Sequence, residues 1–200
     1  MAVRPLARAD VADAAQVLAR AFREDPVSRW LLPDPGSRDR RMRMFFSTLM
    51  RRQVLGLGGA ETAWIDGGIV GAALWLPPGH WIATTWEQVA ALPGFARAYG
   101  RRLNVASALV QSMYRAHPKE PHWYLDAIGT DPGRRGLGVG SALLRSRLRT
   151  CDEQRIPAYL ESSNPDNVPL YEHFGFEVRD GLRLPEGTPR VTPMWRSPAA

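Results

Sequence analysis

Asp131-Pro132-Gly133-Arg134-Arg135-Gly136-Leu137-Gly138-Val139-Gly140-Ser141 is the stretch that decides how this chain folds. Before it, residues 123–128 are aromatic and apolar enough to read as a strand. After it, residues 141–155 carry Leu144, Leu148 and Cys151 on one helical stripe, and residues 158–162 return as a second strand. A strand, a glycine turn, a helix and a strand in that order make a parallel pair joined by a crossover. The amides that open a helix are unpaired and carry the positive end of its dipole, so the turn suits an anion such as phosphate. Its glycines let the main chain approach that anion, and Arg134 and Arg135 add charge-assisted bonds. The spacing Gly136-x-Gly138-x-Gly140 departs from the dinucleotide fingerprint Gly-x-Gly-x-x-Gly, and Glu161 does not stand where a ribose-binding acid would. The glycines by themselves are equally those of a tight structural turn.

Working outward toward the N-terminus, residues 84–116 read as two helices broken at Pro93-Gly94 and at Gly100. Ahead of them lies a hairpin, residues 62–65 and 69–76, turned by Asp66-Gly67-Gly68 and closed by Pro77-Pro78. Residues 38–55 form a helix with Met42, Phe45, Phe46, Leu49 and Met50 inward and five arginines around the rest. Trp30-Leu31-Leu32-Pro33-Asp34-Pro35-Gly36 reads as an apolar loop. Residues 3–6 form a first strand, and Asp10 caps a helix with Ala14, Val17, Leu18, Ala21 and Phe22 at helical spacing. Toward the C-terminus, a short helix over 169–173 leads to a terminal hairpin, 176–184 and 191–195. No repeat or linker interrupts the pattern, so residues 1–200 are expected to form one α/β domain: a mixed central sheet flanked by helices.

Composition narrows the function. Of the 200 residues, 44% are apolar and 23% charged, enough for a core. No run approaches the ~18–20 apolar residues that span a bilayer, and no signal-peptide core opens the chain. A cytoplasmic protein with no membrane partner is expected. One cysteine, Cys151, excludes an internal disulfide or a cysteine zinc cluster, and the four histidines have no ligand spacing; no metal is expected. All but one of the 26 basic residues are Arg, and without a Gly-Lys-Ser/Thr run a Walker-type loop is excluded. The net charge of +6 comes with no nucleic-acid motif, and the Arg-rich helix reads as a solvated face.

Arg135-x-x-Gly138-x-Gly140, directly after a strand and Asp131-Pro132, resembles the acetyl-CoA signature of the GCN5-related N-acetyltransferases. So does Leu160-Glu161-Ser162-Ser163-Asn164-Pro165-x-Asn167-x-Pro169-x-Tyr171-Glu172-x-x-Gly175-Phe176, which is similar to that family's last strand-helix motif. Strong matches run over residues 117–187 and include features of an antibiotic-acetylating branch. The resemblance implies two neighbouring parallel strands that splay apart to form an acyl-CoA cleft. Pantetheine amides would bond the backbone around Ala127, Ile128 and Thr130. The pyrophosphate would rest on Arg134, Arg135, Gly136, Leu137, Gly138, Val139, Gly140 and Ser141. Asn164 and Asn167 either meet the pantetheine or cap an ordinary turn.

Acetylating an amine requires a neutral nitrogen, a stabilised oxyanion and a protonated thiolate. The family places a Tyr general acid at the position of Tyr171, and a phenol of pKa about 10 suits a thiolate; the other reading of Tyr171 is core packing. For the base, strict alternation puts His122, Tyr124, Asp126 and Ile128 on one face of the first splayed strand. His122 matches a base position in some relatives, Glu161 is a second candidate and Asp126 a third. Trp30, Trp81 and Trp86, in loops or at helix starts, are expected to help wall the acceptor site and to favour a ring-bearing small-molecule amine over a polyamine. A monomer or homodimer is expected. The rival readings are acetylation of a protein or peptide N-terminus, and a non-catalytic acyl-CoA sensor.

Overall fold

The computed structural model describes residues 1–199. It is a seven-stranded sheet with helices on both faces, built in the order β1 (Ala2–Pro5), α1 (Val11–Ala21), α2 (Pro26–Leu31), α3 (Pro35–Leu49), β2 (Ala60–Ile65), β3 (Gly68–Leu76), α4 (Thr85–Tyr99), α5 (Leu103–Ala116), β4 (Trp123–Thr130), α6 (Val139–Gln154), β5 (Ala158–Ser162), α7 (Val168–His173), β6 (Glu177–Val178) and β7 (Thr192–Arg196). The strand order is β1-β2-β3-β4-β5-β7-β6. Every pairing is antiparallel except β4–β5, which the α6 crossover makes parallel. One face is covered by α1–α5, burying Leu18, Phe46, Met50 and Leu74; the other by α6 and α7, burying Trp75, Leu143, Leu144 and Met194. No helix among the described residues is long and apolar enough to cross a membrane.

Local chemistry explains most element boundaries, including those where the sequence reading fails. The apolar loop expected at 30–36 is in fact the end of α2 and the start of α3. Asp25 accepts from the Ser28 amide and Asp34 from the Gly36 amide, each with Pro at the next position. Two cap-plus-proline starts so close together leave only a short bend between helices. Asp10 precedes α1 as expected, yet its side chain makes no capping bond, because a short 3-10 turn already leads into the helix. A capping box between Thr84 and Glu87 opens α4. The break expected at Pro93-Gly94 is absent: the helix runs through to Tyr99, and a Cβ at Gly94 would fall 2.2 Å from Thr48 Oγ1. That glycine serves helix-helix approach, and Gly100 supplies the only break between α4 and α5. The terminal hairpin shrinks to two residues of β6 against Met194 and Trp195.

A bulge in β4 overturns the alternation read from the sequence. Trp75 pairs Leu125 while Leu74 pairs Ala127, so Asp126 is an extra residue without a partner on β3. An inserted residue inverts the faces of all that follow. Tyr124 and Ala127 therefore lie in the core under α1–α5, whereas Leu125 and Ile128 lie toward α6. His122, Tyr124, Asp126 and Ile128 do not share one face.

Candidate active site

β4 and β5 pair over only three positions, Trp123 with Ala158, Tyr124 with Tyr159 and Leu125 with Leu160. Beyond Leu125 and Leu160 the two strands part, and the next residues, Asp126 and Glu161, stand on either side of the fork. The wedge runs into a large cleft, about 1580 Å³, lined on one flank by Ala127, Ile128, Gly129 and Thr130 and on the other by Ser162, Ser163 and Asn164. Parted parallel strands leave the facing backbone groups of the wedge without strand partners, ready for an extended amide-bearing chain.

At the wide end sits the glycine turn. Asp131 shapes its start by accepting from the Gly133 amide, while its other oxygen pairs with Arg20 of α1 at 3.0 Å. Gly136 and Gly138 have φ of +79° and +71°, the left-handed region that a side chain resists. None of the amides from Gly136 to Gly140 finds an acceptor among the described residues. They open α6, a helix of 16 residues, so dipole and free N–H groups converge there. Arg134, Arg135, Gly136, Gly138, Val139, Gly140 and Ser141 line the cleft, and neither guanidinium has a carboxylate within 4 Å among the described residues. Leu137, 53% exposed, is the one residue of the expected set whose side chain stays outside the wall.

Near the fork the cleft becomes acidic and aromatic. The Glu161 side chain is only 1% exposed; no partner meets its oxygens with good hydrogen-bond geometry, and the Tyr124 and Tyr159 hydroxyls are the donors that approach it. Burial, then the charge of Glu161, pushes the Asp126 carboxyl up to about 7. Burial first, and then these two carboxylates, push the Tyr114 phenol up to about 12 and Tyr124 well above its usual value. Trp81, Phe45, Phe95, Tyr99 and Tyr114 close the far side. Of the three tryptophans expected there, only Trp81 lines the cleft. Trp30 lies under the Arg102 guanidinium instead, and Trp86 is 78% exposed on α4.

His122 is displaced from the role the sequence suggested. It is buried at 2% exposure and absent from the cleft wall; His117 stands between it and the cleft. The two imidazoles meet Nε2 to Nε2 at 2.9 Å, and His117 Nδ1 lies 3.6 Å from Glu161 Oε1. Burial pushes the pKa of His122 below the usual imidazole value. Trp81 stacks on His117 with ring centroids 4.0 Å apart. The sequence reading passed over His117 because it precedes the strand and has no metal-ligand spacing; its distance of five residues from His122, across two prolines, was the available signal. No group of three metal-ligating side chains gathers among the described residues.

Tyr171, on α7, lines the cleft beside Asn164 and Asn167. Burial, reinforced by the charge of Asp25, raises its phenol well above the ordinary value, so it holds its proton throughout the physiological range. Asn164 Oδ1 accepts from the Asp166 amide, the capped-turn alternative, and Asn167 sits at the entry to α7. Cys151 is buried in α6 away from the cleft, with its thiol pushed up to about 12 by burial. It offers no nucleophile for a covalent intermediate.

A mixed sheet with one splayed parallel pair, an anion-ready turn at its mouth and a polar fork at its base defines an acyl-coenzyme transferase cleft. The Acetyltransferase (GNAT) family model matches residues 20–176. The chain belongs to that family and is an N-acetyltransferase. It is 27% identical over 211 aligned positions to "Uncharacterized N-acetyltransferase C550.08" of Schizosaccharomyces pombe, covering 96% of this chain and 80% of that one. It is similar to a crystal structure described as "histone acetyltransferase HPA2 and related acetyltransferase" from Corynebacterium glutamicum, at 33% identity and TM-score 0.74, over 99% of this chain and 96% of that one. The fold also matches a Drosophila melanogaster polyamine N-acetyltransferase at 16% identity and TM-score 0.62, over 98% and 99% of the two chains.

Proposed function

We propose that the protein transfers the acetyl group of acetyl-CoA to the primary amine of a small, ring-bearing molecule by direct attack. The observation that carries this reading is the junction at the fork. One continuous cleft joins the pyrophosphate-ready turn, the parted strands and an aromatic chamber holding two buried carboxylates. A pantetheine arm laid along Ala127, Ile128 and Thr130 brings its thioester to that junction. Arg134, Arg135, Gly136, Gly138, Val139, Gly140 and Ser141 hold the diphosphate, with Leu137 contributing main chain only. Asn164 and Asn167 border the arm.

Tyr171 is assigned as the acid that protonates the departing thiolate; burial keeps its proton in place until the thiolate forms beside it, at a cost in acid strength. Glu161 and Asp126 attract the ammonium form of the acceptor into a chamber of low polarity. Trp81, Tyr99 and Tyr114 favour a ring and restrict the length of chain that fits. The likeness of His117-Pro118-Lys119-Glu120-Pro121 and Pro185-Glu186-Gly187 to puromycin N-acetyltransferase supports an antibiotic or other toxic amine as acceptor. The reading includes one domain acting in the cytoplasm, where the lone Cys151 stays reduced, as a monomer or homodimer.

The test is release of free thiol from acetyl-CoA with a panel of aralkyl amines, polyamines and N-terminal peptides. Aralkyl amines are expected to turn over fastest. Preference for peptides would replace the acceptor class, and acetyl-CoA binding without turnover on any amine would turn the protein into a sensor. Tyr171→Phe should lower kcat about 10–10²-fold while leaving acetyl-CoA affinity intact; unchanged kcat removes the acid assignment.

A further inference from the structure

Resting on the acetyltransferase reading above, we propose that the acceptor ammonium docks between His117 Nδ1 and Glu161 Oε1, and that His117 takes its proton. His122 acts as the positioning residue that sets the tautomer of His117.

The tautomer follows from a chain of contacts. His122 Nδ1 lies 2.6 Å from the carbonyl oxygen of Glu120, which can only accept, so Nδ1 of His122 carries the hydrogen. Burial disfavours charge on that ring, and in its neutral form Nε2 of His122 is an acceptor. Only one proton fits between the two Nε2 atoms at 2.9 Å, and it therefore belongs to His117. The remaining nitrogen of His117, Nδ1, presents a lone pair toward Glu161. At 3.6 Å, Nδ1 and Oε1 are too far apart to hydrogen-bond each other. They are spaced for a donor nitrogen placed about 2.8 Å from both. Glu161 is otherwise a buried carboxylate approached by the Tyr124 and Tyr159 hydroxyls and paired with no Lys or Arg among the described residues, a costly arrangement that a bound cation relieves.

Every element packed around His117 bears on its charge. Trp81 stacks on one ring face; Tyr124 of β4 and Tyr159 of β5 approach it edge-on at 4.8 and 4.9 Å. Tyr114 of α5 lies beyond Trp81, and Asp126 interacts with Glu161 across the fork. The charged groups facing it are the two carboxylates, Glu161 and Asp126.

In the reaction, R–NH3⁺ gives one proton to His117 Nδ1. The freed lone pair attacks the thioester carbonyl carbon, forming the N–C bond. The C–S bond then breaks, and its electron pair leaves on the CoA sulfur, which takes the Tyr171 proton. The second proton on nitrogen passes to the Tyr171 phenolate, giving the neutral amide. The imidazolium of His117, paired with Glu161, loses its proton to solvent on product release.

Two measurements test this. In long-range ¹H–¹⁵N spectra of the labelled wild-type protein, the neutral rings should appear as Nδ1–H for His122 and Nε2–H for His117. An Nδ1–H tautomer for neutral His117 overturns the proposal without any acceptor being needed. In thiol-release assays with the best amine of the panel, His117→Gln should lower kcat/KM at pH 7 about 10²–10³-fold and abolish the acid limb of its pH profile. Its acetyl-CoA affinity by calorimetry should stay within twofold. His122→Leu should lose about 10-fold, and His122→Gln, which can still accept from His117 Nε2–H, should recover most of it. A His117→Gln enzyme with the wild-type rate and acid limb overturns the proposal. Loss of acetyl-CoA binding by the wild-type protein would instead overturn the reading on which it rests.

Discussion

Asp126 is an extra residue in its strand and is forced by the bulge to a site beside a second carboxylate. Its folded carboxyl titrates at about 7 against an ordinary 3.8, because burial and then Glu161 disfavour the anion. Between pH ~4 and ~7 the native state retains a proton that the unfolded chain gives up, so stability falls as pH rises through that window. Asp126→Asn should remove this slope. By urea denaturation the variant should exceed the parent by about 4 kcal/mol at pH 8 and match it near pH 4. A parent whose stability is flat from pH 4 to 8 contradicts the buried-pair picture. The strain at the fork is the counterpart of its use: carboxylates that repel one another without substrate attract a cation strongly.

At the scale of elements, two glycines separate binding from packing. Gly138 has φ +71°, and a Cβ there would meet nothing within 4 Å. Gly138→Ala should therefore cost only about 1 kcal/mol in stability, the backbone strain. It should raise the Kd for CoA at least tenfold by calorimetry, because the methyl stands where the diphosphate approaches. Gly129 behaves in the opposite manner. A Cβ there would fall 2.6 Å from the Ala21 Cβ, wedging α1 off β4. Gly129→Ala should destabilise by about 1–3 kcal/mol in denaturant, with CoA affinity changed much less in the molecules that remain folded. Equal effects of the two substitutions on affinity would show that the turn is not the anion site.

For the whole molecule, the cleft lies where the two layers of the fold meet. Its walls come from α1 through α5 on one side and from β4, β5, α6 and α7 on the other. A ligand filling it bridges elements that otherwise touch only through the sheet, and it binds the native state alone. Coenzyme A at a hundred times its Kd should stabilise the protein by about 2.7 kcal/mol, read as a rise in melting temperature. Desulfo-CoA should do the same, since the grip is on the diphosphate; an unchanged melting temperature with either would place the anion elsewhere.

The strand-turn-helix-strand unit, the Asp66-Gly67 hairpin and the glycine turn were legible in the sequence because short-range chemistry dictates each of them. Caps, turn glycines and hydrophobic period act within a few residues, and the structure keeps them within a residue or two at most boundaries. The helix α2 was hidden because Pro26 and Pro35 read as interruptions, whereas each starts a helix. Candidate site residues divide on the same line. Glu161, Tyr171 and the glycine turn lie in local motifs, and all three line the cleft. The face of each β4 side chain beyond Leu125 was misread because one unpaired residue inverts the alternation, and pairing with β3 decides that. The choice between His117 and His122 is not local for a related reason: which imidazole meets the cleft depends on how the loop before β4 folds back against Trp81, Tyr159 and Glu161. Sequence by itself determined the elements and the glycine turn, whose causes are local. Only the tertiary structure decided the charge and proton arrangement of the fork, since burial and through-space contacts between distant residues set it.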